Sequence, residues 1–251
     1  ALIGALPPTL PGGQNARCGQ VGIFGNRDVM DTPFNTTNYT EDFIEKRQIR
    51  TIRDALKDDP SVRAGFATGT AGVERIQIRG FNIDNQDMAL GGIYGMLPFN
   101  GITSELAERV EVLRGPAALL NGMTPGGSVG GVVNIIPKRA HDKPITKIEA
   151  DYTSNTQFGG HADLGRRFGK DKPLGARLHG MIRSGSRPLD YNDMNTAPIA
   201  SGIDLRLHRV RFSTAFGPYV RVINNALPHY HFSSLIAVLD SGPLKRHFFL
   251  P

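Results

Sequence analysis

The chain has 251 residues, 39% of them hydrophobic, and a formal net charge of +6. Its basic residues are scattered and never form a run of five, which argues against a nucleic-acid-binding arm. Cys18 is the only cysteine, so an internal disulfide and any CxxC metal or redox site are excluded.

Thirty Gly, 17 Pro and no Trp favour turns and short strands over long helices. Residues 1–21 are rich in Pro and Gly, show no periodicity, and read as a flexible lead-in. They lack the basic start and the length of a signal peptide. No apolar run reaches the ~18 residues of a membrane helix, which leaves membrane strands of ~9–11 residues open.

Ile52, Ala55 and Leu56 are spaced for a short helix over 51–59, stopped by Pro60. Residues 75–79 alternate and predict a strand ending at Gly80. A loop with Gly91, Gly92 and Gly95 follows over 82–101. Residues 105–109 predict one helical turn and 110–113 a strand. Pro116 opens a short helix over 117–120, and Asn121-Gly122 closes it. Residues 129–136 predict a buried strand. Short strands and helices in mixed order fit a small α+β domain over 22–140.

The pattern changes after Pro144. Apolar and polar residues alternate over 145–152, 161–168, 176–183, 203–207 and 210–216, with a register break at His208-Arg209. Each segment has one apolar face and one densely charged face. A soluble sandwich and the wall of a water-filled barrel both satisfy that pattern. After Tyr219 the alternation stops, and residues 220–251 form an atypical tail.

Gly126-Gly127-Ser128-Val129-Gly130 matches the G-x-S-x-G nucleophile elbow, which needs a strand before the serine and a helix after it. Here a strand is predicted after it, so a serine hydrolase using Ser128 is a weak alternative. Residues 122–128 resemble a P-loop but place Ser128 where Lys is required. Glu105, Glu108 and Glu111 read as a solvated or lumen-facing row, and no catalytic set emerges. The seven His are dispersed; His229 and His231, the nearest pair, read as structural, and no metal site is expected.

Four stretches, in order, resemble the plug of TonB-dependent siderophore receptors: Asp54-Ala55-Leu56-Lys57-Asp58-Asp59-Pro60-Ser61-Val62; Ile78-Arg79-Gly80-Phe81; Glu108-Arg109-Val110-Glu111-Val112-Leu113-Arg114-Gly115-Pro116; and Pro125-Gly126-Gly127 through Val132-Val133-Asn134-Ile135-Ile136-Pro137-Lys138-Arg139. Residues 25–34 are also similar to the start of that plug. The resemblance implies an α+β plug, a small mixed sheet with short helices, over 22–140. Antiparallel transmembrane β-barrel strands would follow over 141–219. About 22 strands of ~10 residues cannot fit after Arg139, so the barrel is expected to be incomplete in this chain.

The resemblance further implies an outer-membrane receptor for ferric siderophores, working as a monomer in lipid with a TonB-type energy complex. The ferric siderophore would be the transported ligand and nothing would be bound covalently. Arg79 and Arg114 match plug arginines that pair with barrel glutamates. Asn85, Gln86, Tyr94, Met96, Leu97 and Phe99 fall near positions that meet ligand. A TonB box and a signalling domain are not recognisable. Rival readings are a plug-like soluble binding module, a non-functional truncated receptor, and a receptor for a cobalamin or a glycan.

Overall fold

The computed structural model describes residues 8–65, 74–98, 101–153, 156–186, 193–206, 211–217 and 221–224. Chain order gives β1 (Cys18–Gln20), β2 (Asn26–Asp28), β3 (Asn35–Thr40), α1 (Glu41–Lys46), α2 (Ile52–Ala55), β4 (Val62–Ala64), β5 (Ile76–Ile78) and β6 (Phe81–Ile83). Then come β7 (Ala89–Leu90), β8 (Ile93–Tyr94), β9 (Ala107–Arg114), α3 (Ala118–Asn121) and β10 (Gly131–Pro137). The second half holds β11 (Ile145–Thr153), β12 (Gln157–Phe168), β13 (Leu174–Ser186), β14 (Asp193–Thr196), β15 (Ile199–Arg206), β16 (Arg211–Phe216) and β17 (Arg221–Asn224).

The first half is built on a mixed sheet in the order β3-β9-β10-β7-β8, in which only the β10–β7 pairing is parallel. Helices α1 and α2 cover one face. Thr40 caps α1 by accepting from the Phe43 N–H, Glu41 and Asp42 occupy its first turn, and Lys46 its last. Phe43 and Ile44 then point inward with Ile52, Leu56, Val110, Val112, Val133 and Ile135 to form the main core. A smaller core of Val21, Leu113, Ala117, Leu120 and Val132 lies apart from it. The small mixed sheet with short helices thus agrees with the expected α+β class.

Two expectations need correcting, and one helix is not foreseen in the sequence. Residues 8–20 are not a free lead-in: Thr9 bridges Ala16, Asn15 bridges Tyr39, and β1 pairs with β2 against β3. Residues 105–109 are not a helical turn, because a 3-10 turn over Ser104–Leu106 passes directly into β9. Helix α1 carries only six residues, too few for a helical period to stand out. Residues 207–210 and 225–251, which hold the predicted register break, most of the tail and the His229/His231 pair, lie outside the described residues.

Gly22 shows how closely the N-terminal hairpin seats. It has φ +46, and a Cβ there would overlap the Leu120 carbonyl oxygen and the Asn121 side chain. Gly22→Ala is expected to cost about 1–3 kcal/mol from strain and overlap together, measured as a lower unfolding midpoint.

The second half is an antiparallel sheet. β11, β12 and β13 pair in sequence; β13 then pairs with β14 at one end and β15 at the other. Its faces are inverted relative to a water-soluble sheet. Ile148 is 81% and Ile182 70% exposed, with Tyr152, Phe158, Leu178 and Ile203 also outward. On the opposite face Asp163 is fully buried and Arg177 is 2% exposed, beside His179, Arg183 and Asp204. Apolar outside and charged inside is the pattern of a sheet bounded by lipid. That resolves the ambiguity between sandwich and barrel. The described strands do not close on themselves.

Candidate functional site

Two regions stand out, a glycine-rich loop on the first domain and the charged seam where that domain meets the second sheet. The loop begins at a two-residue turn between β5 and β6. Arg79 (φ 53) and Gly80 (φ 88) both adopt positive φ there, as a type I′ turn requires. The Arg79 N–H donates to the Ser61 carbonyl at 2.9 Å, and its side chain is exposed. A 3-10 turn over Asn85–Asp87 follows, and the Asp87 carboxylate accepts from the Gly126 N–H at 2.5 Å. Strands β7 and β8 then fold back through Gly91-Gly92, where the Gly92 N–H donates to Asn134 Oδ1 at 2.8 Å.

The sequence-predicted ligand residues separate within this loop. Gln86 is exposed and Met96 is 61% exposed. Asn85 is buried, and Leu97 packs in the main core, so neither presents its side chain to a ligand. Tyr94 is half-buried against the smaller core, and its hydroxyl has no hydrogen-bond partner. Burial, aided by Asp87, pushes that phenol up. Phe99 lies outside the described residues.

Arg114 makes its carboxylate contact with Asp59 of the same domain, and donates also to Ser61 Oγ at 2.8 Å, Asn35 Oδ1 at 2.6 Å and Thr37 Oγ1 at 2.9 Å. The described residues provide no carboxylate from the second sheet for Arg114, and none for Arg79. Burial alone would raise the Asp59 carboxyl; the hydrogen bonds from Arg114 and Ser61 outweigh it and hold the group below its ordinary value.

The seam is made of ion pairs. Lys138 Nζ lies 2.6 Å from Glu41 and 3.5 Å from Asp163, and Arg177 reaches Asp163 at 2.6 Å and Glu41 at 2.9 Å. Arg177 Nη1 also donates to the Arg139 carbonyl at 3.0 Å. Desolvation works against ionised Glu41, but Lys138 and Arg177 more than offset it and hold its carboxyl low. A second group joins Arg183 to Glu105 at 3.0 Å, and Arg183 and Arg50 to Asp151 at 3.3 and 3.0 Å. A cavity of about 160 Å³ lies along the seam, lined by Glu41, Arg50, Glu105, Lys138, His161 and Arg183 among others.

The connector between β10 and β11 carries one titrating contact. His141 Nε2 sits 3.0 Å from Glu108 Oε1. The Glu108 hydrogen bond raises the imidazole above its ordinary 6.5 against opposing burial. This contribution is complete below pH 6.5 and is lost as pH rises through the higher folded-state value. Wild type is therefore expected to lose more thermal stability between pH 5.5 and pH 8.5 than His141→Ala, measured as the difference in Tm. Equal losses in both proteins would contradict the assignment.

Ser128 does not stand on an elbow. A turn over 124–127 precedes it, strand β10 begins three residues later at Gly131, and its hydroxyl has no partner.

Residues 28–132 match the family model of the TonB-dependent receptor plug domain. These residues are a TonB-dependent receptor plug. Over 221 residues, 88% of this chain, the sequence is 38% identical to the ferrichrome receptor FcuA of Yersinia enterocolitica. The fold is similar to BauA, the ferric preacinetobactin receptor of Acinetobacter baumannii, with a TM-score of 0.79 at 41% identity, covering 81% of this chain and 30% of that one. It also resembles the pyoverdine receptor FpvA of Pseudomonas aeruginosa in fold, with a TM-score of 0.70 at 16% identity, covering 83% of this chain and 31% of that one. The chain spans 29% of the length of FcuA. The second sheet therefore corresponds to the first strands of the barrel wall, and the seam is the contact of plug with wall.

Sequence reasoning missed the residues that hold the loop and the seam together. Asp87, Glu111 and Asn134 support the loop; Glu41, Lys138 and Asp163 build the seam. A polar residue inside a buried strand, as at Glu111 and Asn134, was the available signal.

Proposed function

We propose that this chain is the plug and first wall strands of an outer-membrane receptor that takes up ferric siderophores. The likeness to FcuA and BauA carries this reading, because both names specify siderophore receptors and both likenesses exceed a third identity. The inside-out wall sheet supports a lipid setting for the outward apolar face. A TonB-type complex would supply the energy, acting on the plug, and the receptor would work as a monomer without nucleic acid or a covalently held cofactor. Its task is transport rather than covalent chemistry.

The polar seam suits that task. Buried ion pairs contribute little net stability, because desolvation offsets most of their attraction. Water entering a parting seam can replace their partners, so the plug is held in register without being fastened as an apolar interface would fasten it. Gln86 and Met96 would meet the chelate, with Asn85, Tyr94 and Leu97 shaping the loop beneath them. Arg79, exposed on its turn, remains the residue proposed to face wall carboxylates beyond those described.

Fractionation of iron-starved cells, blotted with antibody to the plug, is expected to place the protein in the outer membrane. Those membranes should bind ferric siderophore, and Gln86→Ala should weaken binding about 3–10-fold through one lost hydrogen bond. A band confined to the soluble fraction would favour the soluble binding module instead.

A further inference from the structure

The N-terminal hairpin and the ligand-facing loop are joined by a single line of hydrogen bonds through two buried side chains. The Gln20 N–H donates to Glu111 Oε1 at 3.2 Å. Glu111 Oε2 accepts from Asn134 Nδ2 at 3.0 Å, and Asn134 Oδ1 accepts from the Gly92 N–H at 2.8 Å. Glu111 and Asn134 face each other across the β9–β10 ladder and are 4% and 6% exposed. Arg109 Nη2, 2.6 Å from Glu111, keeps a counter-charge beside the carboxylate. The two ends also lie close together, since a Cβ at Gly92 would lie 3.6 Å from Gln20 Nε2.

Every link has a fixed direction. Glu111 only accepts when ionised, so Asn134 must present its nitrogen to it, and its oxygen is thereby turned toward Gly92. A buried polar chain of this kind is costly to leave half-made. Losing the hairpin from one end takes the Gln20 donor from Glu111 Oε1, leaves that oxygen to Arg109 alone, and breaks the line that ends at Gly92.

We propose that Glu111 and Asn134 are positioning residues that latch the β1–β2 hairpin to the β7–β8 turn, so that drawing the hairpin off the sheet loosens the ligand-facing loop. The term ligand-facing rests on the function proposed above; the latch itself does not.

The test is amide hydrogen exchange of the full chain in detergent, without ligand, so failure of the latch is distinguishable from failure of the siderophore reading. Glu111→Gln sets a side-chain nitrogen against a donor in either orientation, Asn134 Nδ2 in one and the Gln20 N–H in the other; turning the Asn134 amide as well would set nitrogen against the Gly92 N–H. Exchange is expected to rise at least ~10-fold in both 18–28 and 89–95, with 157–186 unchanged. Gln20→Pro, compared with Gln20→Ala to account for the lost Gln20 side chain, removes the terminal donor and leaves both buried side chains in place. It is expected to raise exchange in 89–95 as well, an effect that a locally structural role would not produce. If Glu111→Gln also disturbs 157–186, Gln20→Pro alone decides. Wild-type exchange in 89–95 of Gln20→Pro would overturn the latch.

Discussion

Arg177→Met is expected to destabilise the chain by about 3–5 kcal/mol, the cost of leaving buried charge uncompensated. Arg177 is the shared partner of Asp163 from the wall and Glu41 from the plug. With it gone, two carboxylates compete for Lys138 alone. The double variant Arg177→Met/Asp163→Leu leaves the Glu41–Lys138 pair balanced and should recover most of the loss. Urea midpoints in detergent distinguish the cases. A single variant within ~1 kcal/mol of wild type would mean that the seam is wet and its charges are already solvated.

Asp59→Ala is expected to cost a similar ~3–5 kcal/mol, and here pH offers a second handle. The carboxylate is buried beneath Arg114 and accepts from Ser61 N and Oγ, with Tyr39 Oη at 3.4 Å. Removing it strands the guanidinium that also ties Asn35 and Thr37 of β3 to the end of β9. Because the folded-state value lies below the ordinary 3.8, the stabilisation is present above pH 3.8 and is lost as pH falls through that lower value. Wild type should therefore lose stability between pH 4 and pH 2 more steeply than Asp59→Ala. Parallel acid titrations of the two proteins, followed by circular dichroism, would contradict the pairing.

The legible parts of the sequence were those where one period ruled a whole segment. Alternation over 145–152, 161–168 and 176–183 fell on β11, β12 and β13 because a barrel strand has two unlike faces. Gly122 marked a real stop as the C-cap of α3, whereas α2, expected to run to Pro60, ends at Ala55. Strand β9 defeated the same reasoning. It is buried almost throughout, and Glu105, Glu108 and Glu111, which read as a solvated or lumen-facing row, pair instead with Arg183, His141 and Arg109. Periodicity tells which side a residue takes, but not what stands opposite it. The contact of Asp163 with a plug lysine, or of Asn134 with Gly92, depends on tertiary pairing between distant segments. The loop illustrates the same gap: Asn85 and Gln86 are adjacent and chemically alike, yet one is buried and the other faces out.

Uptake of ⁵⁵Fe-ferrichrome and ⁵⁵Fe-preacinetobactin, by cells whose only siderophore receptor carries this chain, tests the central claim most directly. The account predicts saturable uptake of at least one ferric siderophore that stops when the membrane is de-energised, while surface binding persists. Binding without energy-dependent uptake, or the absence of both across a panel of ferric siderophores, would contradict it.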